Sequence, residues 1–240
     1  ADGKPASFVV IAYGKFGGIE MGYASDLDIV FLHDCDALDE ESVGGTRAIN
    51  NNVYFSRLAQ RVINWLATQT SAGRAYEVDM QLRPNGNSGG LVASLKGFAD
   101  YQRDHAWTWE HQALTRARPV AGDVALGEAF RAIRAEVLMR PRDEAKLRQE
   151  IIDMRAKMRA NLEKKQAGLW DVKQGEGGMT EAEFITQYLL LRDAHKDAAL
   201  VEWSDNWRQL DALERAGSVT AEQKSQLIEA YRVYRAWTHG

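Results

Sequence analysis

The sequence predicts an α+β protein in which a small mixed β-sheet with helices is followed by an α-helical bundle. Two apolar runs rich in β-branched and aromatic residues, FVVIAY at 8–13 and LDIVFLH at 27–33, predict buried strands. After residue 123, long helical patterns with few strand signals take over. A chain of 240 residues holds one large or two small domains. We predict domains at 1–122 and 123–240, the second cut short at its C-terminus.

Strand and helix signals alternate through the first predicted domain. Residues 34–45 are acidic and end in Gly-Gly, which indicates a solvated loop. Apolar residues spaced close to the helical period predict a helix over 47–69. The stretches AYEVDMQL at 75–82 and GLVASL at 90–95 predict two further strands, and residues 96–117 predict a helix.

Apolar stripes at helical spacing mark the second predicted domain. Their steps of three and four residues place each set on one helix face, so we predict that all three sets form core. The stripes are Leu147, Ile151, Met154, Met158 and Leu162; Trp203, Trp207, Leu210 and Leu213; and Leu227, Tyr231, Tyr234 and Trp237.

The composition argues against several classes of function. With 30 basic and 34 acidic residues the net charge is −4, so we expect no nucleic-acid partner. The apolar runs are too short to span a bilayer, so we expect no membrane association. The single cysteine, Cys35, excludes an intrachain disulfide framework and fits a reducing compartment, so we expect a cytoplasmic protein.

Two carboxylates stand at the start of the second predicted strand. Asp26 and Asp28 are two residues apart, so strand geometry places both side chains on one face. Mg²⁺ would offset their mutual repulsion and leave positions for phosphate oxygens. A third carboxylate on YEVDMQLRP, either Glu77 or Asp79, would complete a site for two metal ions that supports displacement at phosphorus.

The stretch before these carboxylates suggests a place for phosphate. Gly17 and Gly18 have no side chains, so their backbone N–H groups could approach an anion closely. Ser25 adds a hydroxyl, and Lys15 and Arg83 would balance the charge of a triphosphate. We also considered Arg116 and Arg118 as groups facing phosphate, although they carry a weaker signal.

The motifs together resemble the signature of the bacterial glutamine synthetase adenylyltransferase family, within the polymerase-β-like nucleotidyltransferase superfamily. The likeness covers essentially the whole chain. It is carried by GKFGGIEMGYASDLDIVFLHD, YEVDMQLRPNGNSGGLV, FADYQRDHAWTWEHQALTRAR, FITQYLLLR and WSDN. It implies a nucleotidyltransferase head, metal ligation by Asp26, Asp28 and Asp79 rather than Glu77, and ATP as substrate with two Mg²⁺ ions, or Mn²⁺ in their place. It also implies that Gly17, Gly18 and Ser25 belong to the nucleotide phosphate loop.

Enzymes of this family have two nucleotidyltransferase halves that add AMP to a tyrosine of glutamine synthetase or remove it. The motif sequences of this chain resemble those of the C-terminal half, which implies AMP transfer from ATP with release of pyrophosphate. Phosphorolytic removal of AMP to give ADP stays open, as do a nucleic-acid-directed nucleotidyltransferase and a non-catalytic module. The implied partners are glutamine synthetase and a PII-type regulator of the full-length enzyme. The family pattern expects Asp where GGMTEAEF has Glu181.

Overall fold

The computed structural model describes residues 7–23, 25–35, 37–164 and 168–239. The chain forms two compact units. One unit, the head, lies within Ala1–Ala106 and Arg116–Arg134, and the other, the helical unit, lies within Trp107–Thr115 and Ala135–Gly240. These units are groups of mutual contacts, and the domain division at residues 122 and 123 stays a prediction.

The head contains a small mixed β-sheet, which confirms the predicted α+β class. Its strands are β1 (Phe8–Ala12), β2 (Leu27–His33), β3 (Gln69–Thr70), β4 (Gly73–Arg74), β5 (Val78–Asp79), β6 (Val92–Ser94) and β7 (Arg118–Gly122). The main sheet has the order β5-β2-β1-β7, and β6 also pairs with β2. Strand β1 is antiparallel to β2 and β7, whereas β5 and β6 are parallel to β2. Strands β3 and β4 form a separate hairpin.

Strand β2 is the centre of the head. All its residues except Asp28 are buried, and the strand has sheet neighbours on both sides. The helices of the head are α1 (Gly14–Gly17), α2 (Asn51–Ala67), α3 (Leu95–Asp104) and the first part of α5 (Val124–Leu138). Helix α2 begins where Asn50 Oδ1 accepts the N–H groups of Asn52 and Val53, a typical N-cap. Its Ala59 joins Leu27, Ile29, Phe31 and Met80 in one buried cluster.

Several predicted elements of the head have different limits in the structure. The strand predicted over 75–82 is confined to β5, Val78–Asp79. The helix predicted over 96–117 is two helices, α3 and α4 (Thr108–Leu114), separated by residues 105–107. Strand β7 was not predicted, because Pro119 and Gly122 weaken its strand signal. It lies at the edge of the sheet, where a proline without an N–H group is tolerated.

The helical unit contains α4, which precedes β7 in the sequence, and the described helices after Arg134. They are α4, the end of α5, α6 (Glu144–Leu162), α7 (Met179–Asp193), α8 (Asn206–Arg215) and α9 (Ala221–His239). Asp143 caps α6 by accepting the N–H of Lys146 at 2.7 Å, and Asp205 caps α8 by accepting that of Arg208 at 3.0 Å. Within the described residues, no helix is both long enough and apolar enough to cross a lipid bilayer.

The predicted apolar stripes form core only along part of their length. Leu147 and Ile151 are buried in α6, but Leu162 at the end of the same stripe is 51% exposed. Leu210, Leu213 and Tyr231 are buried, whereas Trp237 is 67% exposed. The core prediction was therefore wrong for Leu162 and Trp237. Periodicity identifies the face that a helix buries, but not where its packing partners end.

Candidate active site

Three carboxylates meet at one end of the head sheet. Asp28 in β2 lies opposite Asp79 in the parallel strand β5, and Leu27 lies opposite Val78. Asp26 immediately precedes β2. One carboxylate oxygen from each of the three aspartates lies within 4.8 Å of the others. Parallel pairing produces this meeting, because it aligns the beginning of β2 with the short strand β5.

Backbone contacts hold this group in place. The N–H of Gln81 donates to Asp79 Oδ1 at 2.8 Å, which orients that carboxylate. The carbonyl oxygen of Asp28 accepts the N–H of Tyr13 at 2.9 Å. Gly14 packs directly against the Asp28 carboxylate, since a Cβ added to Gly14 would lie 2.1 Å from Asp28 Oδ2. The sequence reasoning missed Gly14, although a glycine directly after a buried strand is a signal of close backbone approach.

The donor set of this group suits a hard divalent cation. All candidate ligands are carboxylate oxygens, which Mg²⁺ and Mn²⁺ accept. Asp26 is exposed, and Asp28 and Asp79 are half-buried, so solvent and a ligand can reach the group. Like charges this close disfavour one another unless a cation offsets them. The residues therefore fit a metal.

Glu77, the other carboxylate considered from the sequence, lies apart from this group. Its exposed side chain pairs with Arg74, and its backbone carbonyl accepts the N–H of Leu27 at 2.8 Å. Among the described residues, the cluster of possible metal ligands contains Asp79 and not Glu77.

Gly17 and Gly18 belong to a tight helical turn rather than to an open loop. The N–H of Gly17 donates to Tyr13 O at 2.7 Å, and that of Gly18 donates to Gly14 O at 3.0 Å. An added Cβ would lie 1.9 Å from Arg116 O at Gly17 and 2.4 Å from Arg116 Nη2 at Gly18. Close packing therefore requires both glycines, a reason that the sequence did not reveal. Their contact with phosphate stays a prediction.

The other residues assigned to the phosphate loop also have structural contacts. Ser25 is buried, its Oγ accepts the N–H of Gly22 at 3.0 Å, and this turn leads the chain to Asp26. Ala24 lies outside the described residues. Lys15 lies in α1 and is half-buried. Arg83 donates from Nη1 to Met80 O at 2.6 Å. The roles of Ser25, Lys15 and Arg83 toward nucleotide stay predictions.

Arg116 and Arg118 are directed at the backbone of the α1 turn. Arg116 is buried and donates to Gly14 O, and Arg118 donates to Gly17 O. The sequence indicated these arginines only as groups that might meet phosphate, because nothing local relates them to a turn about a hundred residues earlier.

Glu181 occupies the first turn of α7 in the helical unit. Its Oε2 accepts the N–H of Gly177 at 2.8 Å. Its Oε1 lies 3.6 Å from Arg155 Nη2 and 3.7 Å from Arg159 Nη1. Burial, the largest cause, lowers the pKa of Arg155, and the charge of Glu181 raises it in part. These contacts give Glu181 a structural role at the start of α7.

A small mixed sheet with three carboxylates at one end, beside a tight glycine turn, defines a nucleotidyltransferase-type head. The sequence model of the family described as glutamate-ammonia ligase adenylyltransferase matches residues 1–133, more than half of the chain. The chain therefore belongs to the glutamate-ammonia ligase adenylyltransferase family. Residues 152–240 match the model described as GlnD PII-uridylyltransferase.

A curated relative agrees with this assignment. The chain is 51% identical over 233 residues to the bifunctional glutamine synthetase adenylyltransferase/adenylyl-removing enzyme of Nitrosococcus oceani. The match covers 97% of this chain and 24% of the relative, so the chain spans about a quarter of that protein. The family resemblance seen in the sequence is thus confirmed.

Proposed function

We propose that this chain carries metal-dependent transfer of AMP from ATP to a tyrosine of glutamine synthetase, with release of pyrophosphate. The main support is the meeting of Asp26, Asp28 and Asp79, whose oxygens lie within 4.8 Å of one another. The relative from Nitrosococcus oceani supports the choice of substrate by its name. We propose two Mg²⁺ ions, with Mn²⁺ as a substitute, held by these three aspartates.

The proposed reaction forms one bond and breaks one at the α-phosphorus, and it moves one proton. The tyrosine oxygen bonds to the α-phosphorus of ATP, while the bond from that phosphorus to the oxygen shared with the β-phosphate breaks. The hydroxyl proton passes to the carboxylate of Asp79, which the N–H of Gln81 orients. Bound cations would supply charge neutralisation for the attacking and leaving oxygens.

Positioning accounts for the rest of the proposed catalysis. Lys15 and Arg83 would balance the charge of the triphosphate. Arg83 reaches Asn87 Oδ1 at 3.4 Å, a long hydrogen bond that it can exchange for a phosphate oxygen. Gly17, Gly18 and Ser25 would shape the loop that receives the nucleotide.

The opposite direction is the alternative, because the name of the relative includes both adenylyltransferase and adenylyl-removing activities. In that reaction, phosphate displaces the tyrosine oxygen from AMP and ADP is released. The amino-acid sequences of the motifs favour transfer of AMP to glutamine synthetase. We further propose a cytoplasmic setting and regulation of the full-length enzyme by a PII-type protein, which the match to a PII-uridylyltransferase model supports.

Incubation of this chain with ATP labelled at the α-phosphate, Mg²⁺ and unmodified glutamine synthetase tests the proposal. We expect label on a tyrosine of glutamine synthetase and pyrophosphate in solution. A parallel incubation of AMP-modified glutamine synthetase with phosphate measures release of ADP. Label transfer without ADP release supports the proposed direction, and the reverse result selects the alternative. A folded chain that gives neither product contradicts both.

A further inference from the structure

Arg116 contacts three positions in and just after the α1 turn, namely Gly14, Gly18 and Glu20. Its Nε donates to Gly14 O at 3.1 Å, and its Nη2 donates to Glu20 Oε2 at 2.6 Å. Both side chains of this ion pair are buried, with 6% and 3% exposed. The guanidinium also fills the space beneath Gly18, where a Cβ would lie 2.4 Å from Nη2. Arg116 therefore fixes the turn at its beginning and its end.

Arg118 holds the middle of the same turn. Its Nε donates to Gly17 O at 2.9 Å, and its Nη2 donates to Phe16 O at 3.0 Å. Its guanidinium carbon lies 5.8 Å from the centre of the Phe16 ring, a cation–π distance. These carbonyls lie at the end of the short helix α1, where cations stabilise otherwise unsatisfied acceptors.

Gly14 connects this arginine pair to the carboxylates. Arg116 fixes its carbonyl oxygen, while its Cα lies against the Asp28 carboxylate so closely that a Cβ would be 2.1 Å from Oδ2. A shift of the turn would change the space beside Oδ2, because the backbone of Gly14 packs directly against it. The position of Asp28 Oδ2 therefore depends on the position of the turn.

We propose that Arg116 and Arg118 are positioning residues that fix the α1 turn against Asp28 and so set the geometry of the metal-binding carboxylates. The inference rests on the proposed function, because it assigns these arginines to the same site. Two arginines suit the task, since a planar guanidinium donates in two directions at once and lysine cannot reproduce both bonds. Sites of this kind lose rate or affinity when their supporting contacts loosen.

Titration of the chain with Mn²⁺, followed by electron paramagnetic resonance of the free ion, tests the proposal without nucleotide or glutamine synthetase. We expect Arg116→Lys and Arg118→Ala to weaken Mn²⁺ binding by roughly 10- to 100-fold, as do changes in groups that orient metal ligands. Glu20→Gln, which keeps an acceptor but removes the charge that anchors Arg116, should weaken binding less. Arg131→Lys is the matched control, because the exposed Arg131 pairs with Glu128 on its own helix, α5.

Far-UV circular dichroism identifies the variants that fold. If Arg116→Lys does not fold, the proposal is tested with Arg118→Ala, because Arg118 is only half-buried. In the folded variants, a lower kcat for AMP transfer at an unchanged melting temperature would further support positioning. Variants that bind Mn²⁺ as tightly as the wild type would overturn this inference and leave the proposed function standing. A folded wild-type chain that binds no Mn²⁺ would overturn both.

Discussion

Carboxylates at the candidate active site and carboxylates in the helical unit have different kinds of neighbours. In the head, the oxygens of Asp26, Asp28 and Asp79 converge on one another within 4.8 Å. In the helical unit, Asp193 lies 2.5 Å from Arg192 and 2.8 Å from Lys196. One arrangement gathers like charges, and the other compensates each charge with cations of the chain.

The difference separates charge placed for stability from charge placed for binding. Burial, the largest single cause, would raise the pKa of Asp193, but hydrogen bonds from Arg192, Lys196 and Ser218 together hold it well below its usual range. That carboxylate stabilises the folded state through its own neighbours. Converging aspartates gain no such stability from one another, so their arrangement points to a ligand.

The largest expected effect is on activity. Asp26→Asn or Asp28→Asn should lower AMP transfer at least about 100-fold, the size of loss seen when one charge-stabilising group is removed from an active site. Neither change should lower the melting temperature, because each relieves repulsion between carboxylates. Label transfer and thermal unfolding measure the two effects. A fall in melting temperature as large as that of Asp193→Asn would contradict the distinction between carboxylates placed for binding and carboxylates placed for stability.

Asp193→Asn should lower the stability of the folded chain, unlike Asp26→Asn and Asp28→Asn. We expect it to lower the free energy of unfolding by about 3 kcal/mol, because it removes one member of a largely buried ion pair. Urea unfolding at pH 7 measures this loss. Asp100→Asn is the control, since its pair with Arg103 is exposed and contributes about 0.5 kcal/mol or less. Equal losses in the two variants would contradict the role given to Asp193.

The pH dependence of the unfolding free energy tests the same stabilising role of Asp193. The pKa of Asp193 is below its ordinary value of 3.8 in the folded state, so its charge stabilises the fold above that value. That contribution is lost as the pH falls below about 4 toward the folded-state pKa. The difference in unfolding free energy between wild type and Asp193→Asn should therefore be constant from pH 7 to pH 5 and shrink below pH 4. A constant difference down to pH 2 would contradict this account.

Gly14→Ala should have an intermediate effect. Gly14 has φ of +51°, and the added Cβ would collide with Asp28 Oδ2. Gly44→Ala is the matched control, because Gly44 has φ of +85° with open space around its Cα. The control should cost about 1 kcal/mol from backbone strain alone. Gly14→Ala should cost about 1 kcal/mol more from overpacking and should also weaken Mn²⁺ binding. Equal losses and unchanged binding would show that Gly14 serves only the turn.

The smallest effect is expected at Glu181. Glu181→Gln removes two long ion pairs to Arg155 and Arg159 but keeps an acceptor for the N–H of Gly177. The free energy of unfolding should fall by about 0.5 kcal/mol, as for partly exposed pairs. AMP transfer should change less than twofold, so a loss comparable to that of Asp26→Asn would give Glu181 a direct part in the reaction.

Local sequence signals were sufficient to predict the central strands and the position of Asp26 and Asp28. Strands β1 and β2 are largely apolar runs, and the spacing of two residues predicted both Asp26, which precedes β2, and Asp28, which lies in it, at the start of that strand. The choice between Glu77 and Asp79 needed the family resemblance. The two residues share one face of the same predicted strand, and only the register of β5 against β2 separates them in space.

Contacts between distant parts of the sequence could not be predicted in this way. Strand β7 is defined by pairing with β1, more than a hundred residues earlier, and its own residues are poor strand formers. The contacts of Arg116 and Arg118 with the α1 turn depend on that pairing. The break between α3 and α4 was also missed, because residues 105–107 contain neither glycine nor proline.

Helix α4 belongs to the helical unit although the chain on both sides of it belongs to the head. Its buried residues Glu110, Gln112 and Leu114 lie on a helix that contacts α6 and α7, which follow it in the sequence. A ribosome therefore releases α4 and β7 before the partners of α4 exist. The sheet can be completed once β7 emerges. The buried side of α4 can pack only after about seventy further residues, when α6 and α7 have been synthesised. During synthesis, the buried side of this short helix therefore stays exposed until α6 and α7 have emerged.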